Sequence, residues 1–126
     1  MAIINSDFLK FAIDCYGRKD EIGFRNSISR SYYAMYHKSL ANVEMPCCAV
    51  NHHAALINYI DGLGNEKDQK MKEAARLLRL MRKARNDADY NLDVTVTADL
   101  ALQNLKHYRL IDEIWSQTLP EIRSTK

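Results

Sequence analysis

Only two prolines and four glycines occur in 126 residues, so little in the chain breaks helices and nothing suggests a loop-rich or collagen-like protein. Three cysteines, two of them adjacent (Cys47-Cys48), are odd in number and do not suggest a secreted disulfide framework. No apolar run approaches the roughly 20 residues of a membrane-spanning helix. The start, Met1-Ala2-Ile3-Ile4-Asn5-Ser6-Asp7, has neither the basic first segment nor the long apolar core of a secretory signal. These absences predict a cytoplasmic protein with no membrane partner. A net charge of +2 does not by itself mark a nucleic-acid binder.

What is present fits a single domain with one core, 47% hydrophobic and 27% charged. Gly and Pro fall mostly where helices should end. Gly17 follows a helix over 7–16 capped by Ser6 or Asn5, and Pro46 closes a long helix over 22–43. Gly62 and Gly64 follow a helix over 52–61 capped by Asn51. A basic helix spans about 66–90, and Pro120 follows a last helix capped by Thr97. Gly23, early in the second helix, should cost up to about 1 kcal/mol relative to Ala. Val94-Thr95-Val96-Thr97 leans toward β structure but is too short to pair alone. The expectation is all-α, with about five helices.

The fourth helix carries the most informative pattern. At about 100° per residue, Met71, Ala74, Ala75, Leu77, Leu78, Met81, Ala84 and Ala88 share one side. Lys72, Arg76, Arg79 and Lys83 line the other, within a stretch (67–85) holding eight Lys/Arg against two acids. Such a stripe suits a polyanion such as RNA, and equally a solvated helix face. Arg85 falls inside the apolar arc with Asp89 one turn on. An inward charge needs a partner, because an unpaired buried charge costs several kcal/mol or more. An i,i+4 Arg85–Asp89 pair explains it structurally, and a guanidinium held at a cleft for phosphate explains it functionally. The wheel alone favours the pair.

On the second helix, Ile22, Ile28, Tyr32, Met35, Tyr36, Leu40 and Val43 form the core stripe. Beside it Asn26, Arg30, Tyr33 and His37 make a ridge, with Ala34 and Ala41 small enough to let another helix approach. Arg30 and His37, two turns apart on one face, suit RNA contact or an interface. Cys47-Cys48 with His52-His53 is a weak match to a metal cluster, since zinc sites usually separate their cysteines by two or more residues; no metal or cofactor is expected.

Ser29-Arg30-Ser31-Tyr32-Tyr33-Ala34-Met35-Tyr36-His37 resembles the S-R-x-Y-Y-A-M-[FY]-H signature of HEPN proteins, in particular their small prokaryotic branch. Arg85-Asn86-Asp87-Ala88-Asp89-Tyr90 resembles the R-x-x-A-D-Y of that branch, about fifty residues later on a long helix. The resemblance covers roughly residues 6–118. It implies an up-and-down helical bundle, here of about five helices, that dimerises through the motif-bearing helices, and in many members a metal-independent endoribonuclease acting as a toxin or defence effector. There Arg holds phosphate and a His, after four to six intervening residues, polarises the ribose 2′-OH. Arg85 and Asn86 match, but Tyr90 stands where that His belongs, and a phenol, titrating near 10, is a poor base at neutral pH.

The resemblance therefore implies an RNA- or nucleotide-binding member of a toxin–antitoxin or defence module with altered or absent ribonuclease activity. The alternatives are an active endoribonuclease toxin and a non-enzymatic interaction domain or antitoxin. Arg85, Asp89 and Tyr90 are the catalytic candidates; Arg30, His37, Lys72, Arg76, Arg79, Lys83 and Asn86 are the nucleic-acid-binding ones. Expected partners are a second copy, RNA or a nucleotide, and a cognate nucleotidyltransferase-type or antitoxin protein.

Overall fold

The computed structural model describes residues 2–43, 52–64 and 69–124, with side chains as far as Gln117. Among these residues there are five helices and no strand: α1 (Asn5–Gly17), α2 (Glu21–Asn42), α3 (His52–Leu63), α4 (Lys70–Tyr90) and α5 (Ala98–Ser124). They form a helical bundle built around α2, which packs against α1, α4 and α5, while α3 lies against α4. None of the described helices is long and apolar enough to cross a membrane.

The boundaries follow local chemistry. Asp20 caps α2, its carboxylate accepting the Gly23 N–H at 2.9 Å, and Thr97 Oγ1 accepts the Leu100 N–H at the start of α5. The cap of α1 is neither Ser6 nor Asn5 but Ile4, whose N–H donates to Asp7 Oδ2 at 2.9 Å. The acid at the third helical position thus serves where no capping side chain does. Gly17 is the last residue of α1, and the left-handed turn conformation falls on Lys19 (φ 60°). Asn51 and Pro46 lie outside the described residues. Helix α5 continues past Pro120 to Ser124; a proline removes one intrahelical hydrogen bond without necessarily ending the helix.

Most of the expected core is present. On α4 every residue of the apolar arc is buried except Ala84, which is partly so. On α5, Ala101, Tyr108, Ile111 and Trp115 are buried and Leu105 half-buried. On α2 the stripe is shifted. Ile28, Tyr32, Met35 and Tyr36 are buried, whereas Ile22 and Leu40 are exposed, and Ser27, Ser29, Ser31, Ala34 and Ser39 are buried in their place. A helix flanked by three others has no single apolar side, and small residues let those neighbours approach. Gly23 is one such place. A Cβ there would lie 2.4 Å from the Cys15 carbonyl oxygen, so glycine is what lets α2 cross α1. Ala34 is fully buried within this chain and cannot serve a second copy. Several polar core atoms are paired: Trp115 Nε1 donates to Ser39 Oγ at 3.0 Å, and Asn104 Nδ2 to the Ile28 carbonyl and Ser31 Oγ; the Ser27 hydroxyl is buried with no hydrogen-bond partner.

Candidate functional site

Arg85 emerges from the last turns of α4 toward α2, and its guanidinium is almost enclosed, 13% exposed. Its Nε donates to Asp89 Oδ2 at 3.0 Å and its Nη1 to Asn86 Oδ1 at 3.1 Å. Its Nη2 reaches the hydroxyls of Tyr33 (2.5 Å) and Tyr90 (3.2 Å). Asp89 Oδ2 also accepts from Ser29 Oγ at 3.0 Å, and that hydroxyl accepts from Arg30 Nη2 at 2.9 Å. Two guanidiniums are therefore joined through one serine and one carboxylate, leaving the group with an excess positive charge. Both also approach the Tyr33 ring, Arg30 at 4.8 Å and Arg85 at 5.0 Å from its centroid, a favourable cation–π arrangement. The Nε of Arg30 is buried with no hydrogen-bond partner.

The two motif stretches thus meet. Arg85, Asn86, Asp89 and Tyr90 from α4 face Ser29, Arg30 and Tyr33 from α2. His37 is exposed, and its ring stacks on Phe8 of α1 at 5.2 Å; Arg30 lies 6.0 Å from the same ring. The expectation that Arg30 and His37 share a face therefore holds. Tyr90 is 71% exposed, so its ring offers an open stacking surface beside the guanidinium.

The basic stripe of α4 is exposed, but it is internally compensated. Lys72 and Arg79 meet Asp61 at 3.5 and 3.3 Å, Arg76 meets Glu73 at 2.5 Å, and Lys83 meets Asp87 at 3.6 Å. Four solvent-facing pairs of this kind contribute little stability, and they dilute the positive field that the sequence alone suggests.

Two contributors escape the motif reading. Arg25, on α2, is 7% exposed. Its Nη1 donates to the main-chain carbonyls of Asp87, Ala88 and Asn91 at 3.4, 3.0 and 3.2 Å, and its Nη2 to that of Val94. It therefore supplies the cation and donors that the C-terminus of α4 needs, directly beneath the Arg85 motif. Glu21 accepts from Arg25 Nε and from the Val96 N–H, fastening the following turn. Val96 itself is buried against Ile28, Ala88 and Ala101, so the β-leaning stretch is an anchored connection. The second contributor is His53 of α3, whose Nδ1 lies 2.7 Å from the Tyr32 hydroxyl and whose ring lies 4.3 Å from that of Tyr36. Burial, then the charges of Arg82 and Arg85, hold its imidazole below the ordinary histidine value; burial pushes the Tyr32 phenol up. Both were visible as spacing. Arg25 lies three and seven residues before Ile28 and Tyr32, and His53 shares the face of Leu56, Ile57 and Ile60.

Among the described residues no cluster of three or more His, Cys, Asp or Glu has metal-binding geometry; Cys47 and Cys48 lie outside them. No family model, curated protein or solved structure matches the chain.

Proposed function

We propose that this chain is a HEPN-like RNA- or nucleotide-binding protein of a prokaryotic toxin–antitoxin or defence module, with ribonuclease activity altered or absent because Tyr90 stands where the motif has His. The observation that carries the reading is the convergence of the two motif stretches. Arg85 and Tyr33, 52 residues apart, share a hydrogen bond, inside a group with two guanidiniums, one carboxylate and two phenols. Excess positive charge beside an exposed aromatic ring is the chemistry that holds a phosphate and stacks a base. A homodimer through the exposed sides of α2 and α4, with Arg85 and Tyr90 of both copies lining one cleft, belongs to the same reading, as does a cognate nucleotidyltransferase-type or antitoxin partner.

Incubation of the purified protein with total RNA, with and without EDTA, tests cleavage and its independence of metal. Tyr90→His should raise or restore cleavage, and Arg85→Ala should abolish phosphate binding. Sedimentation as a monomer at tens of micromolar would remove the dimer. One observation favours a second reading, a non-enzymatic interaction domain or antitoxin: the Nε, Nη1 and Nη2 of Arg85 all donate to protein acceptors, as in a purely structural pair. Wild-type protein that binds neither RNA nor nucleotide would leave only that reading.

A further inference from the structure

Beside the Arg85 cluster, with which it shares Asn86, an open groove of about 280 Å³ runs between α3 and α4. Three cations of α4, Arg79, Arg82 and Lys83, line it together with the amides of Asn58 and Asn86. Ala54 and Ile57 supply a small apolar floor. The carboxylates that pair with Arg79 and Lys83 are Asp61 and Asp87; they offset part of the charge from outside the groove, and the described lining residues themselves include three cations and no acid. Of the four stripe residues only Arg79 and Lys83 line it; Lys72 and Arg76 lie outside. This concentrates on one concave site what the sequence spreads along a helix face. The volume falls just under the roughly 300–1,000 Å³ of ordinary small-molecule pockets, which suits a phosphate with its sugar better than a larger ligand.

We propose that the α3–α4 groove is a second anion site, adjoining the Arg85 cluster at Asn86, that takes the phosphate of a single nucleotide unit, free or within an RNA strand. Arg79, Arg82 and Lys83 supply the charge, and Asn58 and Asn86 hydrogen-bond to phosphate or ribose oxygens. The inference deepens the reading of the chain as a phosphate-binding protein and rests on it for the class of ligand. His53, one residue before the groove-lining Ala54, reports occupancy. Burial lowers its pKa most, followed by the charges of Arg82 and Arg85 of α4, His37 of α2 and His52 of its own helix; the Tyr32 hydroxyl and the Tyr33 and Tyr36 rings of α2 also face it. An anion beside Arg82 offsets part of that positive field, so the His53 pKa rises when the groove fills.

The test is titration of the full chain, followed by NMR, with inorganic phosphate, a nucleoside monophosphate and a short single-stranded RNA. Asn58→Asp and Lys83→Glu, both at exposed positions, place a carboxylate in the groove with little risk to the fold. Each should weaken binding about tenfold or more, since like charges repel at an interface, and should abolish the upward shift of His53. Tighter binding of the nucleotide than of inorganic phosphate assigns the ribose to the groove; equal binding assigns phosphate alone, and either supports the site. If binding survives both groove variants and disappears in Arg85→Ala, the groove is not the anion site and the wider functional reading stands. If wild type binds none of the three probes, both fall.

Discussion

The guanidinium of Arg25 donates to the carbonyl of Ala88 across 63 residues of sequence. That contact and its neighbours fix the end of α4 to α2, so the orientation of the Arg85 motif depends on a side chain the motif does not contain. Arg25→Ala should destabilise the protein by about 3 kcal/mol, because it strands the buried Ala88 carbonyl and leaves Glu21 and three partly buried carbonyls without their donor. Arg25→Lys should recover only part of this, since one ammonium cannot replace a planar fork that reaches several carbonyls. Denaturant unfolding of the two variants measures both; a loss under about 0.5 kcal/mol for Arg25→Ala would mean that water replaces the guanidinium without cost.

Arg85 is differently placed, with four side-chain acceptors and a little exposure. Its removal should cost about 1–3 kcal/mol, less than the loss of Arg25, because Asp89 keeps the Ser29 hydroxyl. Thermal melts beside a phosphate-binding assay separate the two roles. Loss of binding with a cooperative, modestly lowered melt supports the functional site.

Gly23→Ala sets two effects against each other. Helix propensity favours alanine by up to about 1 kcal/mol, but the new Cβ would sit 2.4 Å from the Cys15 carbonyl oxygen and 2.7 Å from Asp20 Oδ1. Overpacking against backbone typically costs about 1–3 kcal/mol, so the variant should be net destabilised. An increase in the denaturation midpoint would show that α1 and α2 can separate freely.

The folded state holds His53 below its ordinary value of 6.5, chiefly by burial and then by Arg82 and Arg85. Between that lowered value and 6.5 the unfolded chain binds more protons than the folded one, so stability rises with pH across this window. The contribution is complete above 6.5 and is lost as pH falls toward the folded value. His107, lowered by burial and by Arg76 against an opposing Glu73, acts in the same direction. His53→Gln should therefore flatten the dependence of melting temperature on pH between about 5 and 7. An unchanged slope would assign the dependence to His107 instead.

The helices were legible because α4 and α5 each have one buried side, and a 3.6-residue period records that directly. Helix α2 was less so. With α1, α4 and α5 around it, its buried positions include four serines, residues that composition alone assigns to solvent. At the candidate site, the local Arg85–Asp89 pair could be read from spacing four. The Tyr33 hydroxyl that completes the cluster could not, because it arrives from another helix. The compensation of the basic stripe by Asp61 was hidden for the same reason, since Asp61 belongs to α3. Ala34, small and beside the polar ridge, suggested an external contact when it serves an internal one.

Helix α3 has α4 as its one extensive neighbour among the described helices, supplemented by the stacking of His53 on Tyr36. An element attached on one side can open on its own at a lower free energy than the whole molecule. Amide hydrogens of α3 should therefore exchange with solvent sooner than those of α2. Anything bound between α3 and α4 would slow that exchange selectively, turning a helix held mainly from one side into one whose breathing a ligand controls.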